Sequence, residues 1–585
     1  MFSRAYKLSF RLVLFVILAL VLSSCAIQPP KGRKPSPDWS RGVYLGQFVR
    51  GSIGITVEED GGRVHIVWPY QFGSELGIQY VQLDSTAEPV VTYKMEIASG
   101  GPFSPYLLPG DNGQAHLFWA SRPAGAERTS LWHVLLDRDG RTSDPAQQLV
   151  EGEAMAGGYD VASDGSGGAF LVWGAGDGGV HGLEIAADGR VDSAPTLIAS
   201  AGESPAVRVD VAGIRHLAWR QGTQIFYTAF PKGTSREVES SLITSVPAGT
   251  GVSLVGPNLG LSDGWVYLCW SLQNRSGLEA GTARTEFVSF PIGTPETSAP
   301  DTLWMYRSED QPYRDYEGSF PFDQYVRPAP PSFSADFAYQ PTPLQGQRVE
   351  LAVALAVSQE FRQDVHAQIA LALFEEGKFK GYQMASKTDS LSQEAALAAD
   401  AAGHLHLVWR EGGTRNRVYY ATTAPTGRAA LDRLDEQDLL HFLLQGSMEG
   451  ISGLAMFPFA LIWIIPGLAL LGVLELTWSQ EKQPREISRA MLAIAIILYQ
   501  TAKLFFFPVI LSYVPFSAWL DLPESWGRLL RPGVPLVILG LAFLVATWVR
   551  RRQESQSSLL FYFALAATDA FLTLIVYGVN FWDMA

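Results

Sequence analysis

Asp400-Ala401-Ala402-Gly403-His404-Leu405-His406-Leu407-Val408-Trp409 reads as a tight turn running into a strand. Asp closes such a turn by bonding the backbone that follows it, and Gly accepts the positive φ the turn requires. Side chains alternate faces along a strand, so Trp409 and Leu407 point one way while Val408 and His406 point the other. Both faces are mostly apolar. A strand of this kind is covered on two sides, whereas a sheet with one wet face would alternate apolar and polar.

The same spelling occurs five more times upstream, with the Trp always six residues after the Gly: Asp60/Gly62/Trp68, Asp111/Gly113/Trp119, Asp164/Gly167/Trp173, Asp210/Gly213/Trp219 and Asp263/Gly264/Trp270. Successive Trp spacings are 51, 54, 46, 51 and then 139 residues. A second strand usually follows, as in Ile78-Gln79-Tyr80-Val81 and Val418-Tyr419-Tyr420. A period near 50 with turn residues ahead of a short apolar run is the signature of β-propeller blades. Residues 349–358 and 367–374 read as one further blade that lacks its Trp. The expected fold is therefore an all-β propeller of about seven blades, or six with an insertion, over 42–427, with 42–49 as a first strand that joins the last blade and removes an exposed sheet edge.

Outside the repeats the chain changes character. Residues 1–24 have a basic start (Arg4, Lys7, Arg11) and an apolar run from Leu12 to Leu22, too short to span a bilayer as a helix. This reads as an export signal. Leu22-Ser23-Ser24-Cys25 resembles the bacterial lipoprotein processing site, which implies that Cys25 becomes the lipidated first residue. Residues 25–41 are rich in Pro and basic side chains and read as an extended tether. Residues 428–449 carry an apolar stripe (Leu431, Leu434, Leu439, Phe442, Leu443) and read as a juxtamembrane helix. Residues 450–585 hold four apolar segments near 453–475, 490–514, 534–550 and 558–580, each about the length a membrane helix needs. The loops after the first and third carry Lys482, Arg485, Arg489, Arg550, Arg551 and Arg552, against Arg528 and Arg531 in the intervening loop. That asymmetry predicts the richer loops on the cytoplasmic side, with the propeller and the C-terminus outside the cytoplasmic membrane.

Charge and cysteine content narrow the partners. With +3 in residues 1–24 and +1 in 450–585, the net −14 of the chain leaves −18 for 25–449. So acidic a body disfavours nucleic acid, whose binding needs clustered Lys and Arg. The expected partners are the lipid bilayer and an envelope protein or glycan. Cys269 is the only cysteine besides Cys25 and lies in an apolar run, so a buried thiol is expected and no intramolecular disulfide if Cys25 is acylated.

Several residues invite a chemical reading. Lys503 and Asp569 fall mid-segment in the second and fourth apolar stretches, at similar depths counted at about 1.5 Å per residue. A charge in hydrocarbon is costly, so an intramembrane ion pair is expected. Residues 296–346 are crowded with Pro and aromatics, and Trp304, Tyr306, Tyr313, Tyr316 and Tyr325 offer a binding surface for a sugar or protein, or else pack on the propeller itself. His65, His116, His216 and His406 stand three residues before the Trp of their repeats, where Phe170 and Tyr267 stand in the other two. Residues from different blades cannot converge on one metal ion, so no metal site is expected and a packing role is. No HExxH helix, Gly-rich phosphate loop or GxSxG elbow is present, and no cofactor is expected.

The pattern Asp-x-x-Gly-x-x-His-x-x-Trp followed by a second strand resembles the blades of BNR-repeat, sialidase-like propellers over about 42–427. The resemblance implies the propeller fold. It departs at the turn, since the family's Asp box places its aromatic three residues after the Gly, and here the Trp stands at six. The family's enzymes use three arginines, a Tyr/Glu pair and an Asp; Arg50, Arg208 and Arg215 are available, but nothing in the sequence selects them. The expected role is therefore non-enzymatic recognition or scaffolding, with a surface glycoside hydrolase of sialidase-like type as the first alternative. A second alternative makes the chain the receptor part of a membrane transport or sensing assembly.

Overall fold

The computed structural model describes residues 31–578 apart from short internal stretches, the longest being 307–324, 329–335, 478–484 and 513–523, and between 304 and 366 it describes backbone only. The chain divides into two compact units, 1–433 and 434–585.

The first unit is a β-propeller of six sheets, with one further two-stranded hairpin. Sheet one runs Gly54–Val57, Val64–Phe72, Glu75–Leu83, Pro89–Glu96, each strand antiparallel to the last. Sheet three (Glu203–Val209, Arg215–Gln221, Gln224–Phe230, Ser241–Ser245) and sheet four (Val252–Ser262, Trp265–Asn274, Ala283–Pro291, Asp301–Thr302) repeat this meander. Sheet five is built on Leu351–Phe361, Asp364–Glu375 and Lys378–Met384, the repeat without a Trp. Sheet six holds Ser392–Ala399, Leu405–Glu411 and Arg417–Thr422, and its fourth strand is Val43–Gln47 from the other end of the chain.

Of the two expected counts, about seven blades is corrected to six sheets, and the reason lies in sheet two rather than in an insertion. Its seven strands contain two repeats, those of Trp119 and Trp173, joined by the 17-residue strand Gln147–Ser163. The first part of that strand pairs with Thr129–Leu136 and the second with Ala169–Ala175, so the chain never leaves the ladder between the two repeats. Successive Trp strands thus lie in one continuous sheet.

Apolar cores between neighbouring sheets close the ring. Trp68 and Ile66 of sheet one pack with Val408 and Tyr420 of sheet six, Val67 and Tyr80 with Leu117 and Trp119 of sheet two, and Phe170 and Val172 with Leu217 and Trp219 of sheet three. Tyr227 packs with Trp270, Tyr267 and Cys269 with Phe374 of sheet five, and Leu371 with Leu407 and Trp409 of sheet six. The six repeat Trp side chains are between 0 and 2% exposed. The closing strand pairs Val43 with Tyr420 and Tyr44 with Tyr419. It passes directly over an indole ring: a Cβ on Gly46 would stand 2.5 Å from Cζ2 of Trp68, so only Gly fits there.

The stretch read as a tether is docked from Lys31 onward, which corrects that expectation for its second half. Trp39 is fully buried in the core that holds Trp409. Ser40 exchanges hydrogen bonds with Thr422 (3.0 Å each), Ser36 donates to the Met384 carbonyl (3.0 Å), and Lys34 pairs with Asp432 (2.9 Å). The strap therefore extends the pairing with the last sheet strand ahead of the closing strand, through Ser40 and Thr422. Helix α1 (Pro425–Leu431) follows the last sheet strand and donates from Arg428 to the Pro37 carbonyl at 3.0 Å.

The second unit is helical: α2 (Glu436–Ala455), α3 (Phe457–Thr477), α4 (Arg485–Phe506), the short α5 (Val509–Ser512), α6 (Glu524–Arg552) and α7 (Ser558–Tyr577). The segment read as one juxtamembrane helix is two, because Asp435 starts α2 afresh with a capping box to Asp438. Helices α3, α4, α6 and α7 are long and apolar enough to cross a membrane. Their shared core is led by Trp463, Tyr499, Phe507 and Tyr562.

Candidate functional site

The repeat turns build a scaffold module that the sequence shows only in part. Asp400 accepts the His404 backbone N–H at 2.7 Å, and Asp210 accepts the N–H groups of Ala212 (2.9 Å) and Ile214 (2.8 Å). Each closes the turn that launches a Trp strand. The histidine of that strand then bridges outward: Nδ1 of His65, His216 and His406 lies 2.6, 2.7 and 2.7 Å from the hydroxyls of Tyr80, Tyr227 and Tyr420 on the next strand. Their Nε2 atoms face Glu58 (3.3 Å), Asp210 (3.3 Å) and Asp400 (3.7 Å). Where Tyr267 replaces the histidine, its hydroxyl accepts the Gly377 N–H at 2.9 Å from the neighbouring sheet.

Burial keeps these imidazoles neutral. It pushes His65 down to about 4, aided by nearby Arg63 and against the Glu58 carboxylate beside it, and it lowers His216 and His406 as well. His116 bonds His133 at 3.0 Å, and burial takes the His133 ring to about 3. Asp210 and Asp400 are held below the ordinary carboxylate range by the hydrogen bonds they accept, which outweigh burial. His65 and His216 are hydrogen-bonded on both ring nitrogens and His406 on Nδ1, and each buried neutral ring ties its strand to the next. Burial also pushes the Cys269 thiol up to about 12, so it is not a nucleophile.

The three arginines set beside the sialidase pattern are each held by a different scaffold partner. Arg208 donates to Asp160 at 2.9 Å, and Asp160 also accepts the Val207 N–H at 2.8 Å, tying sheet two to sheet three. Arg215 is buried against Glu184 (2.5 Å) and over the ring of Phe170 (4.5 Å to its centroid). Arg50 reaches Gln71 at 3.0 Å on the surface. Among the described residues no group of three or more His, Cys, Asp or Glu is placed to hold a metal.

Of the aromatic surface, Trp304, Tyr313 and Tyr316 lie outside the described residues, as does Cys25. Tyr306 and Tyr325 are backbone partners in a short ladder, and their side chains are not described. Sequence reading missed a different recurrent feature. The innermost strands of sheets two, three, four and six shift register at one bulge each, between Phe103 and Tyr106, Glu203 and Ala206, Val255 and Asn258, and Gln393 and Ala396. Ser104, Ser204, Gly256 and Glu394 stand there with positive φ (48°, 50°, 103° and 51°). The signal was the X-Pro pairs Ser104-Pro105, Ser204-Pro205 and Gly256-Pro257: Pro cannot donate to a ladder and is found on edge strands and at bulges. Two clefts open at the propeller surface. One of about 460 Å³ is lined by Glu58, His65, Asp111 and Arg138, and one of about 500 Å³ by Ser204, Arg220, Ser253 and Arg275.

In the helical unit the structure brings Lys503 and Asp569 together. Lys503 Nζ lies 2.6 Å from Asp569 Oδ2, and the side chains are 3% and 0% exposed. The same oxygen accepts the Tyr499 hydroxyl at 2.6 Å, and Lys503 also donates to Thr573 Oγ1 at 3.3 Å. Asp569 Oδ1 is buried and accepts no hydrogen bond from the described residues. Tyr499 and Thr573 escaped the sequence reading, although each stands four residues from a charge and hence on its helix face.

No protein-family model and no curated protein matches the chain. Among solved structures it is similar to the polysaccharide lyase Uly1 (11% identity, TM-score 0.39, over 68% of this chain and 93% of that one). It is also similar to the BP39L lectin from Burkholderia pseudomallei (13%, 0.37, 63% and 98%) and to the NanB sialidase from Streptococcus pneumoniae (11%, 0.34, 68% and 70%). None of these likenesses assigns an activity to the chain.

Proposed function

We propose that this chain is a membrane-anchored, extracytoplasmic propeller that recognises or scaffolds an envelope protein or glycan and performs no catalysis on it. The observation that carries the reading is the commitment of its reactive side chains to the scaffold. Arg208, Arg215, His65, His216 and His406 each spend their hydrogen bonds on a strand, turn or neighbouring sheet. A propeller so built offers loops and clefts as its working surface. The four apolar helices and the basic loops after the first and third supply the anchor and its orientation, and the Leu-Ser-Ser-Cys25 sequence supplies a lipid at the N-terminus.

In-cell photo-crosslinking from the propeller loops with mass spectrometry, beside a glycan screen of the full-length protein in nanodiscs, tests this. A reproducible envelope partner or a bound glycan is expected. Release of sugar from a sialoside or other glycoside by the purified protein would instead establish the hydrolase reading. The buried Lys503–Asp569 pair favours a further role as receptor part of a membrane assembly, in which case crosslinks from the helices recover a membrane protein.

A further inference from the structure

We propose that the cleft between sheets three and four docks the carboxylates of an acidic protein segment. This rests on the recognition reading above and names a protein, rather than a glycan, as the ligand. Among the described residues, ten line the cleft; they include two arginines, Arg220 and Arg275, and no acid, in a chain whose net charge is −14. The other cleft, by contrast, is lined by Glu58 and Asp111 beside its single arginine.

Both guanidinium groups are held from behind. Arg275 donates through Nε to Ser253 Oγ at 2.9 Å, and Arg220 donates through Nε to Ser204 Oγ at 3.4 Å. An arginine fixed at Nε presents its two terminal nitrogens as a planar fork, the geometry that matches a carboxylate. The terminal nitrogens of Arg275 meet no acceptor among the described residues, and one terminal nitrogen of Arg220 pairs with Glu203 at 3.3 Å, which leaves its other for a ligand. The Ser204 hydroxyl is placed by an inner-strand bulge, where Ser204 sits at φ 50°, whereas Ser253 stands in regular register opposite Gln273, ahead of the bulge at Gly256 (φ 103°) on the opposite wall. Among the described residues no aromatic ring lines the cleft. A sugar site would be expected to offer a ring face to stack on, whereas a flexible acidic segment needs only the forks and the flanking polar groups.

The test uses full-length protein in nanodiscs of neutral lipid and a fluorescein-labelled hexaglutamate peptide. Binding that weakens with added salt is expected, with a loss of tenfold or more in Arg275→Ala and in Arg220→Ala and none in Arg190→Ala, a surface arginine on a different turn. Melting temperatures of the variants, matched to the parent, exclude unfolding as the cause. No binding by the parent, or binding that survives both substitutions, overturns the proposal. So does displacement of the peptide by a galacturonate oligomer at lower concentration than by unlabelled hexaglutamate, which would make the site a glycan site. If crosslinking recovers a partner while the arginine variants bind the peptide unchanged, this inference fails and the recognition reading stands.

Discussion

Replacing Lys503 by Met leaves the carboxylate of Asp569 buried at 0% exposure with Tyr499 as its remaining hydrogen-bond donor. Breaking a buried pair from one side costs about 3–5 kcal/mol, because the surviving charge keeps its desolvation penalty and loses its counter-ion. Against a typical total of about 5–15 kcal/mol, a loss near 4 shifts the folding equilibrium by roughly a thousandfold. Asp569→Leu should cost a similar amount for the same reason, now with the ammonium stranded. The double variant Lys503→Met/Asp569→Leu removes both charges, so its stability should return to within about 1–2 kcal/mol of the parent or exceed it. Tyr499→Phe removes one hydrogen bond to a charged group and should cost about 1.5–3 kcal/mol. The measurement is unfolding in mixed micelles by SDS titration, followed by Trp fluorescence and far-UV circular dichroism, with the four variants closed into a double-mutant cycle. If the single changes each cost under about 1 kcal/mol, or if the double variant is as unstable as the sum of the singles, the pair is not what holds α4 against α7. A double variant that folds well but loses its cellular partner would show that the charges serve recognition within the membrane.

Three further outcomes follow from the propeller. His65 titrates near 4 when folded against about 6.5 unfolded, so the unfolded chain binds more protons between those values; the stability it contributes is complete above about pH 6.5 and falls by about 3 kcal/mol as pH drops to 4. Melting curves across that window should show a smaller loss in His65→Phe, which copies the Phe170 repeat, and an unchanged pH slope would refute the assignment. Gly46→Ala drives a methyl group toward the Trp68 ring and should cost about 1–3 kcal/mol in thermal unfolding, whereas Gly73→Ala, with open space around its Cβ, should cost only the strain of its positive φ. Trp39→Ala empties a fully buried site and should cost about 3–5 kcal/mol, with trypsin cutting at Lys31 or Arg41 before the sheets unfold; a strap that stays protected would count against its docking role.

The Asp-Gly-Trp period could be read without a structure because each repeat is a local unit: a turn residue, a strand of six and a buried ring lie within ten positions of one another. The membrane helices were legible for a similar reason, since length and composition suffice, and Lys503 and Asp569 could be matched in depth because rise per residue is constant. Sheet count was not legible. Whether strand Gln147–Ser163 breaks into two blades or runs through depends on pairing with Thr129–Leu136 on one side and Ala169–Ala175 on the other, which no local pattern encodes.

The candidate site shows the same division more sharply. Sequence alone assigned the repeat histidines a packing role and left Arg208 and Arg215 unselected, and it could not name the partners that hold them. Their partners are non-local: Asp160 lies 48 residues from Arg208, and Asp432 lies 398 from Lys34 in the strap. Composition, period and span length determined a propeller joined to apolar helices, because those properties act over a few residues at a time. Which arginines are spent on the scaffold, which keep terminal nitrogens free beside a cleft, and where the N-terminal strap is nailed down by Trp39 were decided only when folding brought distant segments within hydrogen-bond reach.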